Sequence, residues 1–143
     1  MKNRYKILIA EDDPFIRKVL RYTLQDDFEV STHINGLEAM LWLEQGQPVD
    51  LILTDLQMPY VGGQELIQNI RAGSLFRHLP IIIISAMDDS NTRIKCLELG
   101  ADDYVTKPFN PMEIKAKIMA VLRRIEQRSV QLPNPVVAGP RPR

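Results

Sequence analysis

Four acidic residues in two short segments are the part of this sequence best suited to chemistry. Glu11, Asp12 and Asp13 follow one apolar run, and Asp55 closely follows another, Leu51–Leu53. Two carboxylates about 6 Å apart, at an effective dielectric constant near 20, repel each other by roughly 3 kcal/mol. A fold selected only for stability would avoid this repulsion, so the clustered acids indicate that a cation binds among them. Hard oxygen ligands in small number, with room for water, suit Mg²⁺ better than zinc or a dedicated calcium site.

Each acid also has an ordinary structural explanation. Pro14 suits the first position of a helix, so Asp13 is explained best as the N-cap of that helix. Asp55 has the position of a turn cap as well. For Glu11 and Asp12 the alternative is a pair of solvated turn residues, and the pattern favours metal ligands over that alternative.

A hydroxyl and an ammonium group are predicted at the ends of two further strands. Ser85 ends the apolar run Ile81–Ile84, and Lys107 ends the next strand. Facing a metal-bound carboxylate, the two groups would cradle a tetrahedral oxyanion such as a phosphoryl group. Each residue alone also has an ordinary explanation. Ser85 could be a strand-end hydroxyl that hydrogen-bonds to its own backbone, and Lys107 could be a surface lysine. Their joint placement favours the oxyanion site. His33 and His78 are predicted to be surface residues.

The apolar pattern predicts five strands that alternate with five helices. The strands are predicted at Tyr5–Ala10, Phe28–Thr32, from Leu51, at Ile81–Ile84 and at Asp103–Thr106. Helices are predicted from Pro14, after Gly36, after Gly63, from about Asn91 to Leu99, and from Pro111 to about Gln127. This alternation indicates an α/β fold with a doubly wound, five-stranded parallel sheet. In the flavodoxin-like strand order 2-1-3-4-5, the acids after the first and third strands lie side by side at the switch point.

Composition limits the class of protein. The 143 residues suffice for one domain, and a formal net charge of zero gives no reason to expect nucleic acid or an anionic membrane as a partner. The single cysteine, Cys96, suits a reducing cytoplasm. The apolar run near the start is too short for a signal peptide, and no run approaches the length of a membrane span. Residues 1–128 are predicted to form the domain, followed by a Pro-rich flexible tail or linker at 129–143.

In combination, four segments resemble the receiver domain of two-component response regulators. The resemblance covers residues 4 to 127. The segments are Glu11-Asp12-Asp13-Pro14, Leu53-Thr54-Asp55-Leu56-Gln57-Met58-Pro59, Ile84-Ser85-Ala86, and Asp102-Asp103-Tyr104-Val105-Thr106-Lys107-Pro108-Phe109. Each segment alone is a weak signal, but their order and spacing are specific. The resemblance implies a phosphorylation-activated switch with slow self-dephosphorylation, not an enzyme with ordinary turnover.

The resemblance also implies a role for each acid at the site. Asp55 would be the phosphoacceptor for a sensor histidine kinase or a phosphotransfer protein. Glu11 and Asp12 would bind Mg²⁺ together with Asp55 and the backbone carbonyl of Gln57. This assignment agrees with the cation site predicted above from the acids alone.

Further implied roles concern the switch and its output. Ser85 and Lys107 would contact the phosphoryl group, Tyr104 would turn inward when Ser85 moves, and the peptide before Pro108 would be cis. The output surface would be formed by the fourth helix, fifth strand and fifth helix. Its charged residues are Lys95, Asp102, Asp103, Glu113, Lys117 and Arg124. They resemble the charges through which receivers of the winged-helix transcription-factor subclass form homodimers; the alternative is an ordinary solvated face.

Two other classes of function compete with the receiver interpretation. A Mg²⁺-dependent phosphohydrolase with an aspartyl nucleophile would need a general acid near Asp55 and a lid, and neither is evident. A flavodoxin-like cofactor binder would need a hydroxyl-rich phosphate loop and an aromatic stack. Within the receiver interpretation, the Pro-rich tail favours the input domain of a longer regulator over a stand-alone receiver.

Overall fold

A computed structural model describes residues 4–131 of the chain, with side chains to residue 128. The strands are β1 (Lys6–Ala10), β2 (Glu29–His33), β3 (Leu51–Asp55), β4 (Ile81–Ser85) and β5 (Asp103–Thr106). The helices are α1 (Pro14–Leu24), α2 (Gly36–Glu44), α3 (Gly63–Ala72), α4 (Ser90–Leu99) and α5 (Pro111–Gln131). The predicted alternation of five strands and five helices is confirmed.

The five strands form one parallel sheet in the order β2-β1-β3-β4-β5. This is the order predicted from the sequence. Ile9 pairs with Leu53, and Leu53 pairs with Ile82, so these residues of β1, β3 and β4 lie side by side in the sheet. Because every strand points the same way, all five carboxyl ends meet at one edge of the sheet.

Apolar side chains fill the space on both faces of the sheet. On one face α1 and α5 cover Ile7, Ile9, Leu53 and Ile84, and on the other face α2, α3 and α4 cover the alternate residues of the same strands. All residues of β3 and β4 are buried, as their unbroken apolar runs predict. Burying one such isoleucine contributes about 1.5–3 kcal/mol relative to leaving it exposed.

Two helix ends have well-defined capping residues, and one of them, Asp13, is the N-cap predicted from the sequence. The Asp13 carboxylate accepts hydrogen bonds from the backbone N–H groups of Phe15, at 2.8 Å, and Ile16, at 3.3 Å. This satisfies two of the N–H groups that the first turn of α1 leaves unpaired. Gly100 ends α4 with a φ of 125°, a conformation that favours glycine. Asp13 is thus explained by the fold, as the N-cap interpretation predicts.

The last helix is longer than predicted. α5 continues to Gln131 instead of ending near Gln127, because no glycine or proline interrupts the chain before Pro133. It therefore runs past residue 128, where the sequence predicts the domain to end. The rest of the predicted tail, residues 132–143, lies outside the described residues and stays a prediction. Between residues 4 and 131, no helix has the length and apolar character needed to cross a membrane.

His33 is buried, so its predicted surface position is wrong. It ends β2 beneath α2 and is 5% exposed, with its ring centroid 5.1 Å from that of Trp42. Its Nδ1 lies 3.4 Å from the Glu38 carboxylate and its Nε2 lies 3.3 Å from Ser31 Oγ. Burial lowers the pKa of His33, although the Glu38 charge opposes this shift. A covering helix is a tertiary feature that the local pattern around His33 does not reveal. His78 is exposed, as predicted.

Candidate functional site

Three of the predicted site acids meet at the carboxyl edge of the sheet. Glu11 and Asp12 follow β1, Asp55 ends β3, and these two strands are neighbours. One carboxylate oxygen from each residue lies within 4.8 Å of the other two. Glu11 is fully buried, Asp55 is 5% exposed and Asp12 is exposed. The cluster therefore has a dry inner side and one acid in contact with solvent.

The Asp55 carboxylate is held from two directions. Oδ1 accepts hydrogen bonds from the backbone N–H of Leu56, at 2.6 Å, and more weakly from that of Gln57, at 3.4 Å. Oδ2 accepts a hydrogen bond of 3.0 Å from Lys107 Nζ. The loop after β3 and the end of β5 thus orient the carboxylate together. A carboxylate held in this way needs little reorganisation before it reacts.

Lys107 bridges the two buried acids. Its Nζ lies 3.0 Å from Asp55 Oδ2 and 3.2 Å from Glu11 Oε1. Burial by itself lowers the pKa of Lys107, but the hydrogen bond and charge of Asp55, aided by Glu11, outweigh burial and raise the pKa above its ordinary value. Lys107 is therefore fully charged at neutral pH. The Lys107–Pro108 peptide is cis, as predicted.

Glu11 is the least satisfied acid of the cluster. Its Oε2 accepts a hydrogen bond of 3.0 Å from the Asp13 N–H, while the buried Oε1 has only the ion pair with Lys107 and no hydrogen bond. Burial, with a smaller contribution from the Asp55 charge, raises the pKa of Glu11 to about 7, against the lowering effect of Asp13 and Lys107. Two buried carboxylates share one ammonium group, so the cluster is short of positive charge.

The acid cluster suits a small divalent cation. It offers oxygen ligands only, one of its oxygens is buried without a hydrogen bond, and exposed Asp12 leaves one side open to water. This combination matches the preference of Mg²⁺ for a few carboxylates and several waters. Gln57 lies in the loop directly after β3, and its backbone carbonyl remains a predicted ligand.

Ser85 and Tyr104 both contact the backbone of Met87. Ser85 ends β4, is fully buried, and its Oγ accepts a hydrogen bond of 3.0 Å from the Met87 N–H. Tyr104, on β5, donates from its hydroxyl to the Met87 carbonyl. Burial raises the pKa of the Tyr104 hydroxyl. Met87 thus connects the two residues predicted to form the switch, a link that is visible only in the fold.

A close approach between backbones supports the loop that carries Asp55. Gly63 begins α3 and its N–H donates to the Leu56 carbonyl at 2.8 Å. A Cβ atom at Gly63 would lie 2.5 Å from the Asp55 carbonyl oxygen and 2.8 Å from Leu56 Cα. No side chain fits there, so α3 packs directly on the backbone of the phosphoacceptor candidate. The sequence marks Gly63 only as the end of a loop.

Some charged residues of the predicted output surface form ion pairs within the chain, and others are exposed. Lys117 Nζ, on α5, lies 3.1 Å from Asp103 Oδ2 on β5. The Asp102 carboxylate accepts from the Ile81 N–H at 2.8 Å and pairs with Arg71 at 3.1 Å. The remaining predicted charges, on α4 and α5, are exposed; they are Lys95, Glu113 and Arg124. These three residues are the better candidates for contacts with another molecule.

Known proteins with the same fold and sequence pattern define the class. Residues 7–119 match the response regulator receiver domain family. A probable transcriptional regulator ycf27 of Cyanidium caldarium is 43% identical over 133 residues, covering 92% of this chain and 51% of the relative. The phosphate regulon transcriptional regulatory protein PhoB of Rhizobium meliloti is 40% identical over 120 residues, covering 83% and 52%.

Solved structures show the same likeness in three dimensions. The Francisella response regulator 1452 receiver domain aligns with a TM-score of 0.79 at 29% identity, covering 85% of this chain and 99% of that chain. The chemotaxis response regulator CheY4 of Vibrio cholerae aligns with a TM-score of 0.77 at 29% identity, covering 83% and 99%. A parallel sheet of this order with acids at its switch point is therefore a receiver fold.

The chain belongs to the response regulator receiver domain family. It is a phosphorylation-activated signalling domain. Its curated relatives are transcriptional regulators, in agreement with the predicted likeness to receivers of the winged-helix subclass. The chain spans about half the length of the curated relatives that it matches.

Proposed function

We propose that Asp55 accepts a phosphoryl group from a phosphohistidine on a sensor histidine kinase or a phosphotransfer protein. The observation that carries this proposal is the Asp55 carboxylate, held 3.0 Å from the Lys107 ammonium group among the acids Glu11 and Asp12. A carboxylate oxygen of Asp55 attacks the phosphorus atom as the donor's N–P bond breaks. The imidazole leaves with the bonding electron pair, and the product is an aspartyl phosphate.

Lys107 balances the charge that this reaction brings into the site. The ammonium group carries three hydrogen-bond donors on a flexible stem, so it can contact a phosphoryl oxygen while it stays beside Asp55. In the structure it already lies between Asp55 and Glu11. Its raised pKa keeps it charged at neutral pH.

Glu11, Asp12, Asp55 and the backbone carbonyl of Gln57 would hold Mg²⁺ as ligands. When bound, Mg²⁺ supplies positive charge that offsets the charge of the transferring phosphoryl group. Glu11 must give up its proton to bind the ion, and its pKa of about 7 makes that proton easy to displace near neutral pH.

Ser85 and Tyr104 form the proposed switch. The Ser85 oxygen accepts from the Met87 N–H, so the Ser85 hydroxyl hydrogen remains available to donate to a phosphoryl oxygen. Movement of Ser85 toward that oxygen displaces the Met87 backbone, and Tyr104 is bonded to the Met87 carbonyl. Phosphorylation at Asp55 therefore changes the surface formed by α4, β5 and α5.

Phosphorylation of the purified chain by acetyl phosphate with Mg²⁺ tests this proposal. Intact mass spectrometry should show one added phosphoryl group on the wild type. The addition should disappear with Asp55→Asn and with EDTA, and it should persist with Asp26→Asn, which removes an exposed carboxylate far from the acid cluster. Modification of Asp55→Asn to the wild-type extent would contradict the assignment of Asp55.

The output surface is proposed to form a homodimer after phosphorylation. Exposed Lys95, Glu113 and Arg124 are joined there by two exposed apolar residues of α4, Ile94 at 51% and Leu97 at 47%. Exposed apolar side chains on one surface with charges of both signs are typical of a self-complementary contact. Sedimentation velocity should show a concentration-dependent dimer only with the phosphorylated chain, and Glu113→Lys should weaken it. A fully phosphorylated chain that stays monomeric at high concentration would refute the dimer.

The role of the longer protein is also part of the proposal. Since the chain spans half of its transcriptional-regulator relatives, we infer that it is the input domain of a longer regulator. A separate output domain, and not the receiver with its balanced charge, would then contact DNA. The buried free thiol of Cys96 is consistent with a cytoplasmic location.

A further inference from the structure

Tyr60 has a backbone conformation that tyrosine rarely adopts. Within residues 4–131 it is the single residue other than glycine with a positive φ, at 67°. Glycine and asparagine take this left-handed conformation readily, whereas a bulky side chain is strained in it. The Tyr60 side chain is 82% exposed, so burial does not compensate for the strain. Folding alone gives no reason for a tyrosine at this position.

The loop between β3 and α3 holds Tyr60 in this conformation from both sides. Before it, Met58 packs partly buried against the core, and the ring of Pro59 restricts its own φ. After it, Val61 also packs against the core, and the Val61 carbonyl accepts a hydrogen bond of 3.0 Å from the Gly36 N–H. The Tyr60 backbone is therefore fixed between two anchors. An aromatic ring on a fixed backbone loses little conformational freedom when another molecule contacts it.

Tyr60 stands at the edge of the sheet where the phosphodonor must approach. Asp55 is 5% exposed, and the loop that carries Tyr60 begins directly after it. Phe15, which is 72% exposed, lies at the same edge at the start of α1. Next to Phe15, Ile16 packs on one face of the sheet, and the neighbours of Tyr60 pack on the other, so the segments that carry the two exposed aromatic residues reach this edge from opposite faces. A protein that delivers a phosphohistidine to Asp55 has to lie across this rim, whereas a small phosphodonor does not.

We propose that Tyr60 is a specificity-determining contact for the protein that carries the phosphohistidine. The ring offers an aromatic anchor of the kind that dominates protein interfaces, on a backbone that is already ordered. The strain of the left-handed tyrosine is retained because the ring is used in binding. This inference rests on the proposed phosphoacceptor function of Asp55.

Comparing a small phosphodonor with a protein phosphodonor distinguishes an effect on partner binding from an effect on the phosphoryl-transfer reaction. The small donors are acetyl phosphate and phosphoramidate; the protein donor is a purified, autophosphorylated histidine-kinase core selected because it phosphorylates the wild-type chain. Tyr60→Asn removes the ring and keeps a residue that tolerates the left-handed conformation. We expect the rate with small donors to stay within twofold. With the kinase we expect kcat/KM to fall about tenfold or more, mostly through KM.

Matched variants exclude general effects on the fold. Tyr60→Phe should transfer at nearly the wild-type rate, since it keeps the ring. Leu75→Ala removes an apolar side chain that is 83% exposed at the opposite edge of the sheet, and it should change nothing. The unfolding temperature of Tyr60→Asn should not decrease. Equal losses with both kinds of donor, or no loss with the kinase, would overturn the inference. Failure of the wild type to accept phosphate from any donor would instead refute the proposed function.

Discussion

Replacing Lys107 with methionine is expected to slow phosphorylation by acetyl phosphate about 10²–10³-fold, the loss typical when one preorganised charged donor is removed from a reaction centre. Among the residues that the structure describes, Lys107 is the cation that lies between the two buried carboxylates, at 3.0 Å from Asp55 and 3.2 Å from Glu11. Without it, an anionic phosphodonor would meet Glu11 and Asp55 with no ammonium group between them.

The fold should survive this substitution at neutral pH. Lys107 now lowers the pKa of Glu11, so its loss raises that pKa further above about 7. Glu11 then keeps its proton, and the repulsion between Glu11 and Asp55 is reduced. Circular dichroism and the unfolding midpoint should therefore show a folded protein, so that slow phosphorylation reports on the site.

Two variants make the measurement specific. Lys107→Arg keeps the charge but changes the shape and reach of the group, and it should recover only part of the rate. Lys18→Met removes an exposed lysine of α1 and should leave the rate unchanged. The rates are read by intact mass at several times after acetyl phosphate is added with saturating Mg²⁺. A wild-type rate for Lys107→Met would mean that the ammonium group has only a structural role.

Substituting Gly63 with alanine is expected to destabilise the domain by about 3 kcal/mol, at the upper end of ordinary overpacking effects. The added Cβ would lie 2.5 Å from the Asp55 carbonyl oxygen and 2.8 Å from Leu56 Cα. Both atoms belong to the backbone of the sheet edge and cannot rotate away. Either α3 or the loop after β3 has to move.

The change should also reach the reaction centre. Asp55 is oriented through the Leu56 N–H, at 2.6 Å, and Leu56 is the residue against which Gly63 packs. We expect slower phosphorylation together with a fall in the unfolding temperature of roughly 10 °C, from the usual few degrees per kcal/mol in a domain of this size.

Gly73→Ala provides the matched control for Gly63→Ala. Gly73 follows α3 with a φ of −80°, and its nearest neighbour would be 3.6 Å from an added Cβ, an ordinary contact. The free energy of unfolding of the Gly73→Ala variant should differ from that of the wild type by less than about 1 kcal/mol. Urea unfolding followed by circular dichroism measures both variants. Equal stability of the two would show that the backbone contact at Gly63 relaxes without cost.

The fold class and the position of the acid cluster follow from the pattern of residues along the chain. Apolar runs such as Ile81–Ile84 are too short and too uniform for surface helices, and their alternation with helical segments forces parallel strands. Parallel strands end at one edge, so Asp55 and Glu11 had to meet there once the strand order was known. These conclusions depend on local patterns and on chain topology, and both can be inferred from the sequence.

The surroundings of these acids depend on contacts that form only when the chain folds. The burial of His33 under α2, the backbone contact at Gly63 and the shared bonding of Ser85 and Tyr104 to Met87 join residues from different elements. The left-handed Tyr60 is likewise imposed by anchors on either side of it. Packing and backbone strain arise where separate elements of the fold meet, so these features depend on ångström-scale distances between segments. Residue types and their spacing along the chain do not specify those distances.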